Sequence, residues 1–445
     1  MGYRRLAATT AVVAIIFAAC SGSTPSAAPS AAPTDAASTA PSAAPSVALE
    51  PVEIDWYHIQ NNDPGLSLWQ ALADEYMAAH PNVKINVNVN ENEAFKAKLA
   101  TDLAGGNVPD LFQSWGGGGM GEQVDAGLLK DITSDLACKD QINAGALGLY
   151  AKDGKQYGAP FDLGMVGFWY NKAQFATAGI TTPPATWDEL LTDVGKLKDA
   201  GITPIALGGK DKWPGMFWWA YLALRAGGSE AMQNAVATGD WSGPAFVQAG
   251  TELKKLVDLK PFQEGFLAAP WDGAGGQAAT MATGKAAMQL MGQWAPGTMN
   301  ANSPDQKGIG DDLGWFPFPS LAGGAGAPDD AFGGGNGFVV GKDAPPETVD
   351  FLCFLTSTDA ANRWGATNSG ILPTTIGTEG SVTDPNMTSV LENRAKAQYV
   401  QLYLDQATTP ALGGVINDAI QTLYAGTGTP EDVVKTISDA AKTSD

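Results

Sequence analysis

A chain of 445 residues with thirteen tryptophans but only two histidines and three cysteines has a narrow choice of chemistry. A structural or catalytic zinc site has no ligand set to draw on. His58 and His80 are the only imidazoles and Cys20, Cys138 and Cys353 the only thiols, and neither CxxC nor HExxH occurs. The glycine run 116–119 lacks the GxxxxGK[ST] spacing of a phosphate cradle, and close approach of backbone to a ligand or a neighbouring helix is its simpler use. No cofactor is implied. What remains is recognition by stacking and hydrogen bonding. Flat aromatic rings beside Asp, Glu, Asn, Gln, His and Arg groups suit a ligand with an apolar face and a rim of hydroxyls.

The position of each candidate decides between that use and plain core packing. Trp69 and Trp187 fall within helical patterns and Trp169 in an apolar strand, so all three read as core. Trp115 and Trp294 stand at predicted strand ends beside glycine, and Trp271 sits in the loop-like Pro270-Trp271-Asp272-Gly273. Trp213, Trp218 and Trp219 cannot all face one cleft, because adjacent helical residues diverge by about 100°. Among polar residues, His58, Gln60 and Asn61 follow one strand, Ser114 ends another, and Gln293 ends a third beside Trp294. Glu93, Asn336 and Arg363 complete the set. His58 has capping of the next helix as its alternative, and Arg363 a solvated or salt-bridged role.

These residues need a scaffold. Val52 to Tyr57 alternates like a strand, Leu66 to Tyr76 has helical spacing, Val83 to Val89 alternates again, and Ala94 to Ala104 resumes a helix that stops at Gly105-Gly106. Strand, helix, strand, helix predicts an α/β lobe with a largely parallel sheet, continued by a strand into residues 109–115. In such sheets ligands bind beyond the carboxyl ends of the strands. Further strands are predicted at 165–170, 202–207, 286–291 and 337–340. Thr186-Trp187-Asp188-Glu189 has the capping-box arrangement, and residues 213–224, 245–259, 274–283 and 346–355 read as helices.

The chain begins with Arg4-Arg5 and an apolar segment from Leu6 to Ala19, too short to span a bilayer stably. Phe17-Ala18-Ala19-Cys20 resembles a bacterial lipobox with Phe in place of its usual Leu. Residues 1–19 are therefore expected to be a signal peptide, Cys20 a lipid attachment point, and the Ala/Pro/Ser-rich residues 20–50 an extended tether. The remaining length exceeds what one hydrophobic core serves, so two domains are expected. A net charge of −21 with no Lys/Arg cluster excludes nucleic acid as a natural partner. Cys138 and Cys353 either pair or serve as two buried small hydrophobes, and the second use is favoured because two cysteines make no disulfide scaffold.

Five phrases in order carry a resemblance over nearly the whole chain after the tether: Val108-Pro109-Asp110-Leu111-Phe112, Gly167 to Lys172, Thr186 to Leu190, Met281 to Met288 with Gly292-Gln293-Trp294, and Asn336 to Val340. They are similar to the family 1 extracellular solute-binding proteins of ABC sugar importers. The resemblance implies a two-lobed periplasmic-binding-protein-like α/β fold, type II and maltose-binding-protein-like, with a hinge and a central cleft. It implies an N-terminal lobe of residues 51–161 plus 310–367 and a C-terminal lobe of 162–309 plus 368–445. Chain crossings would fall near 161–164, 304–310 and 366–370, so that Asp162 serves either as a ligand acceptor or as a hinge support. The implied function is capture of a neutral sugar by a monomeric, lipid-anchored, non-enzymatic protein at the extracytoplasmic face, with ABC permease subunits as partners. Residues 112–118 and 213–215 are similar to xylobiose- and oligosaccharide-binding members. Rival readings keep the fold with a polyol or glycerophosphodiester ligand, or make the chain a secreted glycoside hydrolase, for which no recognisable carboxylate pair is present.

Overall fold

A computed structural model describes residues 50–367 and 369–443. The expected signal peptide and Cys20 lie outside the described residues. Among the described residues eleven strands occur in order: β1 Val52–His58, β2 Val83–Val89, β3 Leu111–Ser114, β4 Ala151–Lys152, β5 Lys155–Gln156, β6 Gly158–Met165, β7 Gly167–Asn171, β8 Met288–Met291, β9 Leu313–Phe316, β10 Ala331–Val340 and β11 Val400–Leu402. No helix among the described residues is long and apolar enough to cross a membrane.

The first sheet grows from the alternation read in the sequence. Ile54, Trp56 and His58 of β1 point into the core while Glu53 and Asp55 face solvent. β1 pairs in parallel with β2 and with β3, and β10 then adds antiparallel to β3. Trp69, Leu72, Ala73 and Tyr76 line the buried side of the helix Gly65–Ala79 and pack with Trp56, Phe338 and Phe351 in one core. The second sheet is antiparallel, in the order β8-β7-β9, under a core that contains Trp169, Trp187, Trp218 and Trp219. The capping box at Thr186 and Glu189 is formed.

The long antiparallel pair β6/β10 joins the two cores. Ala159, Phe161, Phe338 and Val340 belong to the first, whereas Met165, Ala331 and Phe332 belong to the second. A third segment runs beside them: the Leu163 amide donates to the Leu372 carbonyl at 3.0 Å. The crossing expected near 304–310 is displaced. β9 pairs with β7, and Phe316 stacks on Phe168 at 4.8 Å, so residues 313–316 stay with the second sheet and the chain returns only along β10. Residues 202–207, expected as a strand, make only single bridges from Ile205 to Phe262 and Met288, since Pro204 has no N–H to continue a ladder.

The cysteines are a second correction. Cys138 and Cys353 form a disulfide with a Cα–Cα distance of 5.5 Å, within the first core. A pair 215 residues apart has no local sequence signature.

Candidate functional site

A cavity lies where the carboxyl ends of the first sheet's strands meet the second lobe. After β1 come Gln60, Asn61 and Asn62; after β2, Asn92 and Lys96 of the helix Asn92–Ala104; after β3, Trp115. The opposite wall is aromatic. Trp213 starts the long helix Trp213–Thr238, Trp271 comes from a loop, Trp294 follows β8 and Tyr403 follows β11. Trp213 lies 5.5 Å from Trp271 and 6.4 Å from Trp294 between ring centres, at interplanar angles of 57° and 59°. Trp218 and Trp219 point into the core, as the 100° rule requires.

Two carboxylates tie the walls together. Glu91 accepts the Glu93 and Ala94 amides as N-cap of the helix Asn92–Ala104 and also accepts the Trp271 indole N–H at 3.2 Å. Glu93 accepts the Trp213 indole N–H at 3.2 Å. Lys96, paired with Glu93 at 3.1 Å, holds its ammonium 5.6 Å from the Trp115 ring centre and 6.0 Å from that of Trp213.

The floor is Asp162, at the midpoint of the crossing pair and directly opposite Asn336. Its Oδ1 accepts the Leu372 amide at 2.8 Å, and its Oδ2 accepts the side-chain amides of Gln293 and Asn336, each at 2.7 Å. Asn336 in turn accepts from Gln113 of β3 at 2.9 Å. One carboxylate thus links all three crossings to both sheets.

Burial pushes the Asp162 carboxyl up to about 6, against the opposing pull of the Leu372 amide, Asn336, Gln293 and the Arg394 charge. Tyr150 and Tyr403 are the other titratable groups it faces, and both stay protonated, chiefly through burial. A folded value above the unfolded one means that protonation favours the fold. That contribution is complete below about 3.8 and is lost as pH rises through about 6. Wild type should therefore lose melting temperature relative to Asp162→Asn between pH 4 and 7, and a constant difference across that range would contradict the assignment.

Of the residues singled out in the sequence, Gln60, Asn61, Trp115, Asp162, Trp213, Trp271, Trp294 and Asn336 line this cavity. Glu93 borders an adjoining acidic chamber with Glu91, Asp211 and Asp272. Four others do not reach the cavity. His58 lies on the Ile54/Trp56 face of β1, fully buried 4.7 Å from Trp56, with its Nδ1 accepting the Gln60 amide. Burial depresses its pKa to about 3, so it is neutral. Ser114 is spent on the Gly116 amide, Gln293 on Asp162, and Arg363 on Glu75 at 2.8 Å with Asp359 at 3.7 Å. The glycine run serves chain packing: a Cβ at Gly116 would stand 2.3 Å from the Leu149 carbonyl oxygen, and one at Gly118 2.4 Å from that of Thr408.

Sequence reasoning missed Asn62, Lys96, Phe217, Tyr403, Asp405 and Gln406. Asn62 adjoins Asn61 and Lys96 is one turn from Glu93, both legible neighbours. Tyr403 to Gln406 follow a strand of only three residues, too short to announce its end.

A family model of bacterial extracellular solute-binding proteins matches residues 61–362. The chain belongs to that family. This solute-binding protein is 27% identical over 318 residues to the diacetylchitobiose binding protein of Streptomyces coelicolor, covering 68% of this chain and 69% of that one. Two solved structures share its two-lobed α/β fold with a TM-score of 0.80 and 26% identity. One comes from work on xylan utilisation by the thermophilic bacterium Caldanaerobius polysaccharolyticus and covers 87% of this chain and 99% of its own. The other is a chitin oligosaccharide binding protein, covering 88% and 98%.

Proposed function

We propose that this solute-binding protein captures a neutral oligosaccharide, of the size of xylobiose or a chitin disaccharide, in the cavity between its lobes and delivers it to an ABC permease. The observation that carries the reading is the facing of an indole wall, Trp213, Trp271 and Trp294, against Trp115, over a floor of Asp162 and Asn336. Indole faces stack on the C–H face of a pyranose, and the amides and carboxylates take its hydroxyls. The sugar-binding relatives support the same ligand class. A lipid on Cys20 and the tether beyond it would hold the protein, as a monomer, at the extracytoplasmic face. The lobes divide at the middle of the β6/β10 pair, and closure is driven by contacts that the ligand makes with both walls at once.

The protein performs no chemistry in this reading. A glycoside hydrolase needs a free acid and a free base or nucleophile, whereas both oxygens of Asp162 are occupied by amide donors. Titration of xylobiose and diacetylchitobiose against intrinsic tryptophan fluorescence tests the assignment. Trp213→Ala should weaken binding about 30-fold, equivalent to about 2 kcal/mol, with no reducing ends released by wild type. Equal affinity in the variant would contradict the stacking role. Release of reducing ends would favour the hydrolase.

A further inference from the structure

Tyr403 has a buried hydroxyl with no protein partner in a cavity lining. The side chain is 6% exposed, and its hydroxyl oxygen meets no donor or acceptor among the described residues. Its orientation is fixed: the ring stacks on Phe217 at 5.3 Å and 21°, and meets Trp294 and Phe332 edge-on at 6.1 and 5.6 Å. Such a group is costly to leave unmade. Elsewhere in the same core the hydroxyls of Tyr221 and Tyr424 each find a carbonyl, of Val166 at 2.6 Å and of Gly215 at 2.8 Å. Tyr403 is the buried tyrosine at the cavity that does not.

We infer that the Tyr403 hydroxyl is a specificity-determining contact, donating to an oxygen of the bound ligand at the deep end of the cavity beside Asp162. The assignment rests on the oligosaccharide reading above. Burial, together with the nearby carboxylates of Asp162 and Asp405, keeps the phenol protonated, so it is a permanent donor. Phe217 and Trp294, which pack against its ring, offer no acceptor, so a ligand lacking an oxygen there leaves the donor unpaired. A site built around one such donor rejects the deoxy analogue far more strongly than a purely apolar pocket rejects a changed methylene.

The test uses the full chain, with Tyr403→Phe compared to wild type for xylobiose, diacetylchitobiose and their monodeoxy analogues. The expected result is a loss of tenfold or more in affinity for whichever disaccharide wild type binds. One deoxy analogue should bind wild type tenfold or more weakly while binding the variant as well as the parent sugar does. The ligand-free melting temperature should stay level or rise, because the removed hydroxyl has no protein partner. Undiminished affinity in Tyr403→Phe, with every deoxy analogue affected equally in both proteins, overturns the assignment. A fall in ligand-free melting temperature with unchanged affinity also overturns it, since the hydroxyl would then be satisfied within the fold. Absence of any sugar binding by folded wild type contradicts the carrier reading itself, and this assignment with it.

Discussion

Asp162→Ala should cost about 4 kcal/mol of folding stability, since three donors to a buried charged acceptor lose it at once and such bonds contribute about 1.5 to 3 kcal/mol each, offset by relief of the carboxylate's own burial. The donors are the Leu372 amide and the side chains of Gln293 and Asn336. They come from different crossings and from the second sheet's end, so the loss falls on the hinge as well as on the fold. Sugar affinity should drop about 100-fold, because the floor and the geometry of both walls depend on the same group. Asp162→Asn retains an acceptor for Leu372 but sets its amide against two others, and should lie between wild type and Asp162→Ala in stability. Urea denaturation with parallel calorimetry checks both effects. An unchanged midpoint in Asp162→Ala would remove Asp162 from the centre of the account.

Removing the disulfide should have a comparable effect on stability and almost none on binding. The first lobe is assembled from chain on both sides of the second sheet, and Cys138–Cys353 closes a loop of 215 residues that contains all three strands of that second sheet. The chain-entropy relation gives about 5 kcal/mol for a loop of that length, and about 4 kcal/mol is expected for the double variant Cys138→Ser, Cys353→Ser. Neither cysteine touches the cavity. The denaturation midpoint should fall while xylobiose affinity stays within twofold. A midpoint unaffected by the double substitution, or by reduction of wild type, would show that noncovalent packing alone holds the two segments together.

Much of the first lobe was legible because its periods are clean. Val52 to Val89 alternates, turns helical and alternates again, and the structure forms the same three elements with ends within three residues of that reading. The aromatic wall was legible for a related reason: Trp115, Trp271 and Trp294 stand at element ends, where a large apolar side chain has less core to enter. His58 misled because a strand-end position says nothing about parity, and its even spacing from Ile54 and Trp56 puts it on the buried face. β9 misled because Trp315-Phe316 fits either sheet, and only its pairing with β7 decides. Gln113, Gln293, Asn336 and Leu372 come together around Asp162 through four contacts, each between residues 131 or more apart in the chain. No local pattern encodes such a network. Glu93 was singled out in the sequence and Glu91 was not, and the task both perform, accepting indole N–H groups from the opposite wall, depends on how the lobes meet.

The most direct test of the account is calorimetric titration of the protein with xylobiose, cellobiose, maltose, diacetylchitobiose and glucose. Saturable one-to-one binding of at least one neutral disaccharide is predicted, with a dissociation constant near micromolar, about −8 kcal/mol, and no product formed. Silence across the panel from a sample that melts cooperatively would contradict the neutral-oligosaccharide assignment and move the ligand to the polyols and phosphodiesters.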